Sequence, residues 1–172
     1  VGSVFMGLQF GCAQCHDHFF DRWKRVQFHE MTGFFSRLKP GQPSGRGVKL
    51  VAQNDLEHEM ADQHKPSVLY VTYPRFLDGR EPAPGLADAA RRRALSDFVT
   101  GDDNYWFAAA LVNRVWGELL GQAFFQPEDD LGPDKTPALP TVVARLAAGF
   151  RAEGYDLRGL IRTIVRSETY RR

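Results

Sequence analysis

The sequence predicts a mainly α-helical chain of helical bundle-like segments with a small β element in its middle. Three observations lead there. Apolar residues recur at three- and four-residue steps over long stretches, above all in the second half, which is the period of helices with one face turned to a core. Runs rich in β-formers are short and confined to Val48-Lys49-Leu50-Val51 and Ser67 to Tyr73. Proline and glycine punctuate the chain at residues 40–47 and 74–85, on either side of those runs. A length of 172 residues suits one or two small domains. The expected division is a first piece at 1–39, a linker with short strands at 40–85, and a helical domain at 86–172.

Taken in order, Ser3 to Phe10 is apolar and reads as the end of a helix. Phe19, Phe20 and Trp23 form an aromatic cluster, read first as core and alternatively as aromatics beside a haem edge, and both can hold. Gln27 to Leu38 reads as a helix with Phe28, Met31, Phe35 and Leu38 on one stripe, and His29 falls off it, so its default is exposure. Pro40 to Gly47 reads as a flexible loop. Asp55 to Lys65 is polar, holds His58, Met60 and His64, and is expected as a loop between the two strands.

Leu86 to Val99 reads as a helix whose Arg91-Arg92-Arg93 run is most simply a solvated face. Asp102, Asp103 or Asn104 caps the next helix, Tyr105 to Leu120, which Gly121 ends. Its apolar face is read as Phe107, Leu111, Val115 and Leu119, with Asn113 and Arg114 as a buried polar pair. Glu128, Asp129 and Asp130 lie in an acidic connection without EF-hand spacing and read as solvated carboxylates. Leu139 to Ala152 is a further helix ended by Gly154. Asp156 then caps a last one, Leu157 to Tyr170, with Leu160, Ile161, Ile164 and Val165 facing a core.

Hydrophobic residues make up 43% and charged residues 25% of the chain, as in an ordinary globular protein. The net charge of +1 provides no field for a polyanion, so nucleic acid is not an expected partner. No apolar run approaches the ~20 residues a transmembrane helix needs. The chain opens at Val1 with neither an initiator Met nor a signal-peptide pattern, and its last stretch is helix-like. It is therefore expected to be a fragment of a larger multidomain protein, with the remainder of the parent chain as a partner. There is no nucleophile elbow, P-loop or dinucleotide fingerprint.

The chemistry is concentrated in Cys12-Ala13-Gln14-Cys15-His16-Asp17-His18, which holds both cysteines and two of the five histidines. Cys-x-x-Cys-His is the attachment pattern of c-type haem. Thiols about one helical turn apart reach the two vinyl groups, and the next histidine becomes the proximal iron ligand. On this reading Cys12, Cys15 and His16 bind a covalent haem c. Three other readings stay open. The cysteines form a redox dithiol or strained disulfide. Zinc or non-haem iron is held by Cys12 and Cys15 with one or two of His16, His18 and His29. The thiols are inert and structural.

The favoured function is a haem-bearing electron-transfer module with an unidentified redox partner. Its alternative is a metal-dependent hydrolase or metal-stabilised binding module with His16, His18, Asp17 and Asp21 at a zinc or iron ion, so the sequence leaves enzymatic activity open. A third class is a purely structural surface domain. His18 is too close to His16 in sequence to reach the opposite face of the same haem. A distal ligand is expected from His58 or Met60, or from outside this chain, unless the site is open.

Phe5-Met6-Gly7-Leu8-Gln9, Cys12 to His18, Phe20-Asp21-Arg22-Trp23 and the Phe34-Phe35 helix together resemble the end of the planctomycete-type cytochrome C domain. Residues 74–172 resemble the companion domain that follows it. There the likeness is carried by Pro74 to Gly79, Asp103-Asn104, Ala110 to Trp116, Pro127 to Asp130, Gly154 to Leu157, Ile161 to Val165 and Ser167. The resemblance implies a periplasmic or cell-surface setting and a larger parent protein, and it supplies no activity. Phe19, where the family often has Pro or Lys, and the apolar Gly121-Gln122-Ala123-Phe124-Phe125 stretch depart from the pattern.

Overall fold

The computed structural model describes residues 1–44, 47–52 and 56–172. Its elements are α1 (Gly2–Met6), a 3₁₀ turn (Gly11–Gln14), α2 (Arg25–Gly33), β1 (Leu38–Ser44), β2 (Gly47–Ala52), β3 (His58–Ala61) and β4 (Leu69–Thr72). Then follow α3 (Asp88–Thr100), α4 (Tyr105–Leu120), α5 (Pro140–Ala152), α6 (Leu157–Val165) and α7 (Glu168–Arg171). The chain is mainly α with a small β element, as its periodicity predicts. None of the helices among the described residues is long and apolar enough to cross a membrane.

The residues cluster into two compact units. The helical unit comprises Val1–Phe10, Phe20–Arg22 and Val99–Arg172. Here α4 packs against α1, α5 and α6. Its ends follow from local chemistry. The Asn104 side chain accepts from Trp106 N at 3.2 Å and donates to Val99 O at 2.7 Å, and Gly121, at φ 79°, closes the other end. The buried face is Ala108, Ala109, Val112, Asn113 and Trp116 rather than the expected Phe107–Leu111–Val115–Leu119 stripe, whose members are half-buried. Alanines leave room for close approach of neighbouring backbone but signal burial weakly in a sequence. Gly7, at φ 61°, illustrates that approach. A Cβ there would stand 2.8 Å from Leu131 Cδ1 and 3.3 Å from Ala110 Cβ.

Asn113 and Arg114 each brace the unit, but they do not form the expected pair. Asn113 is fully buried, accepts from Phe125 N at 2.9 Å and donates to Glu128 O at 3.0 Å. Arg114 is half-buried, donates to Val4 O at 2.6 Å and Ser3 O at 2.7 Å at the end of α1, and pairs with Asp129 at 2.5 Å. The expected last helix is divided. Asp156 caps α6 through Arg158 N at 3.0 Å, and Ser167, capping through Tyr170 N at 3.4 Å, starts α7 anew. Leu160 and Ile164 of α6 are buried, whereas Ile161 is exposed.

The motif unit comprises Gly11–Phe19 and Trp23–Phe98. Its apolar core is Ala13, Trp23, Met31, Phe34, Phe76, Leu77 and Leu95. The expected helix at 27–38 is shorter and starts earlier, so that Phe34 rather than Phe35 is fully buried. β1 and β2 pair antiparallel, with a register irregularity between Pro40 and Pro43. The proline- and glycine-rich run from Pro40 reads as a loop, but a two-stranded ribbon has only edge strands, where proline is tolerated. Gly45 and Arg46 of that loop, and Asp55 at the start of the polar stretch, lie outside the described residues. Residues 58–61 are strand β3 rather than loop, pairing His58 with Thr72 and Met60 with Tyr70 of β4. Asp62 turns the chain between them by accepting from His64 N and Lys65 N, each at 2.8 Å.

Arg91 corrects the solvated-face reading of its basic run. It is 5% exposed and holds both carboxylate oxygens of Glu57, Oε2 at 2.6 Å and Oε1 at 2.5 Å. Buried Arg37 adds a third bond to Glu57, at 3.0 Å. The two guanidiniums, Arg91 foremost, hold the Glu57 carboxyl below its ordinary pKa.

Candidate motif centre

The motif opens with the 3₁₀ turn, in which Ala13 is fully buried while Cys12, Gln14 and Cys15 are exposed. One small apolar residue thus roots the turn and leaves the reactive groups outward. Both cysteines are free thiols. Cys15 N donates to Cys12 O at 3.3 Å, so a backbone bond closes the interval between them.

His16 is half-buried, and its Nδ1 lies 2.8 Å from Asp17 O. A carbonyl only accepts, so Nδ1 carries a proton, and in the neutral ring Nε2 presents its lone pair. The Phe19 ring tilts against the imidazole at a centroid distance of 4.3 Å and is itself 77% exposed. Phe19 and Phe20 therefore differ from the expected core cluster, of which Trp23 alone is buried.

The other predicted site residues have structural partners. Asp17 accepts from Arg25 N at 2.9 Å and pairs with Lys24 Nζ at 3.0 Å, so its carboxylate caps the first turn of α2. The Arg25 amide foremost, then Lys24, holds its pKa below the ordinary value. His18 N donates to Trp23 O at 2.8 Å and folds the chain back after the motif. Asp21 belongs to the helical unit, where Oδ1 accepts from Arg22 N at 2.8 Å and Asp134 N at 3.4 Å. Among the described residues no three His, Cys, Asp or Glu side chains gather in a group suited to a metal ion.

His29 departs furthest from expectation. It is 9% exposed, and its Nε2 lies 3.1 Å from Gln14 O. Its Nδ1 meets Nε2 of His58 at 2.8 Å, the two rings lying nearly parallel. Burial foremost lowers the pKa of both histidines, and the neighbouring His29 lowers that of His58 further. Neither partnership has a local signal. The one hint is that a histidine off the apolar stripe of α2 must find its own partner if buried. His58, expected on a loop that reaches over a haem, instead sits in a strand and faces His29.

Two family models match the chain. Residues 1–40 match PSCyt2, described as "Protein of unknown function (DUF1549)", and residues 91–172 match PSD1, described as "Protein of unknown function (DUF1553)". These matches bear out the resemblance of both segments. No curated protein and no solved structure matches the chain.

Proposed function

We propose that this chain is a haem-bearing electron-transfer module of a bacterial protein exported to the periplasm or cell surface, with Cys12 and Cys15 as attachment thiols and His16 as the iron ligand. One observation carries the reading. The three groups that attachment needs follow one another along the 3₁₀ turn and the two residues after it, both thiols exposed and free and His16 Nδ1 held by Asp17 O, which in the neutral ring leaves Nε2 for a ligand. Attachment is chemically self-contained. Each S–H adds across a vinyl C=C, sulfur bonding to one carbon and the proton passing to the other, with no oxidant or reductant consumed. When bound, the group supplies one-electron exchange at its iron.

The chain's own residues orient and shield. The Nδ1–H bond to Asp17 O holds the His16 ring and raises the basicity of Nε2, as outer partners of ligating histidines commonly do. Asp17 in turn is fixed to α2. Phe19 lies against one side of the imidazole and offers exposed apolar surface beside it. A zinc or iron centre built on His16, Asp17, His18 and Asp21 has less support, because both carboxylates already accept backbone N–H bonds. The partners on this reading are a redox protein and the remainder of the parent chain.

The test is production of the full-length parent protein in a host with periplasmic haem maturation, followed by intact mass and absorption spectroscopy. One added haem, lost when Cys12→Ala and Cys15→Ala are combined, is the expected result. Colourless protein of apo mass refutes the proposal. Carbon monoxide titration of the reduced protein then separates electron transfer from ligand binding, since rapid and complete binding excludes a tight distal ligand.

A further inference from the structure

The histidine pair hydrogen-bonds the motif at Gln14 O, and for a neutral His29 ring that bond sets the direction of the next. Gln14 O accepts only, so His29 Nε2 carries a proton and, in the neutral ring, Nδ1 is the acceptor. His58 Nε2 must then be the donor to His29 Nδ1. The same Gln14 carbonyl shares its peptide unit with Cys15 N–H, which donates to Cys12 O. One directed chain therefore runs from His58 through His29 and the Gln14–Cys15 peptide to Cys12. Each donor in such a chain polarises the next and strengthens it.

We propose that His29 is a positioning residue for the Cys-x-x-Cys turn, holding the interval between the two thiols through Gln14 O, with His58 fixing the His29 tautomer. The proposal deepens the haem reading and rests on it for its purpose, which is to keep both thiols at the spacing that two vinyl groups require. The geometry itself belongs to the chain without haem. Alternative roles fit poorly. Two imidazoles are too few for a metal centre, and the nitrogens that face each other are already joined. Glutamine is the conservative substitute at position 29, since its amide donates to Gln14 O while its carbonyl accepts from His58.

The test uses the parent protein as wild type, His29→Leu and His29→Gln, with two readouts. The first is amide hydrogen exchange at Cys15 in haem-free protein. Loss of one hydrogen bond should speed exchange in His29→Leu by about tenfold, and His29→Gln should restore most of it. The second is the pyridine haemochrome band of matured protein, which moves to longer wavelength when one vinyl group remains unsaturated. His29→Leu should give that shifted band and His29→Gln the wild-type one. Wild-type exchange and a wild-type band in His29→Leu overturn the proposal. If the wild type takes up no haem, the haem reading fails while Cys15 exchange still decides this inference. Should His29→Leu not fold, the nitrogen NMR shifts of the wild type decide. Neutral Nε2–H tautomers of both rings support it, and an Nδ1–H tautomer of His29 overturns it.

Discussion

The helical unit and the motif unit both bury polar side chains, but they partner them differently. In the helical unit the partners are largely backbone groups at element ends: Asn113 serves Phe125 N and Glu128 O, and Asn104 serves Trp106 N and Val99 O. In the motif unit backbone carbonyls also serve, Gln14 O for His29 and His58 O for Thr72, but side chains from distant segments are added. Glu57 meets Arg37 and Arg91, and His58 meets His29. A residue that serves backbone has a short, repeatable local context. A buried side-chain pair depends on two stretches that carry no sign of each other, and losing either partner removes a bond the other cannot replace locally.

The largest expected effect follows from that last point. Glu57→Ala leaves two buried guanidiniums without their carboxylate and should destabilise the motif unit by about 3–5 kcal/mol, read as a large fall in denaturation midpoint. A fall no larger than that of an exposed pair such as Lys24–Asp17 would show that water reaches the cluster and would erase the contrast between the units.

Asn113→Leu is the matching test in the helical unit. It leaves Phe125 N buried without its acceptor and should cost about 1–3 kcal/mol. Arg114→Ala, whose side chain is 30% exposed, should cost less and leave any haem spectrum unchanged. If Arg114→Ala proves the more damaging, the brace between α1 and the Asp129 connection, rather than buried Asn113, governs this unit.

The same comparison explains how far the sequence could be read. The span of α4 was legible because Asn104 and Gly121 announce it, and the capped start of α6 followed from Asp156. The buried face of α4 was not, because Ala108 and Ala109 weigh little beside Phe107 and Leu111 in any apolar count. The motif's place was legible from its spacing, and the family match over residues 1–40 agrees with the likeness read there. Burial of His29 and Arg91 was illegible for the reason already given. Their partners, His58 and Glu57, lie in a stretch that reads as polar loop and forms β3 only by pairing with β4.

Titration offers a graded test of the His29–His58 pair. Burial lowers both folded pKa values beneath the ordinary value of about 6.5, so the unfolded chain binds protons first as pH falls. The pair's contribution is thus complete above that ordinary value and is lost as pH drops through the lowered folded values. Arg25 adds to the lowering at His29, and Glu59 opposes it at His58. Denaturation midpoints should decline in this window for wild type and more shallowly for His29→Gln. Parallel profiles would mean that the pair is solvated in solution.

Phe19 should give the smallest effect on folding and the most local one. At 77% exposure the ring contributes little burial, so Phe19→Ala should change stability by no more than about 0.5 kcal/mol. Its ring nonetheless lies against that of the candidate ligand His16, at 4.3 Å between centroids. Replacing it with a methyl group admits water beside the imidazole. In haem-loaded protein, better solvation favours the more highly charged oxidised state, so the reduction potential should move downward while the denaturation midpoint holds. This inverts the behaviour of Glu57→Ala, which should move the midpoint strongly. A potential unmoved by Phe19→Ala would reduce that ring to one more exposed aromatic and leave the shielding of His16 to groups outside the motif.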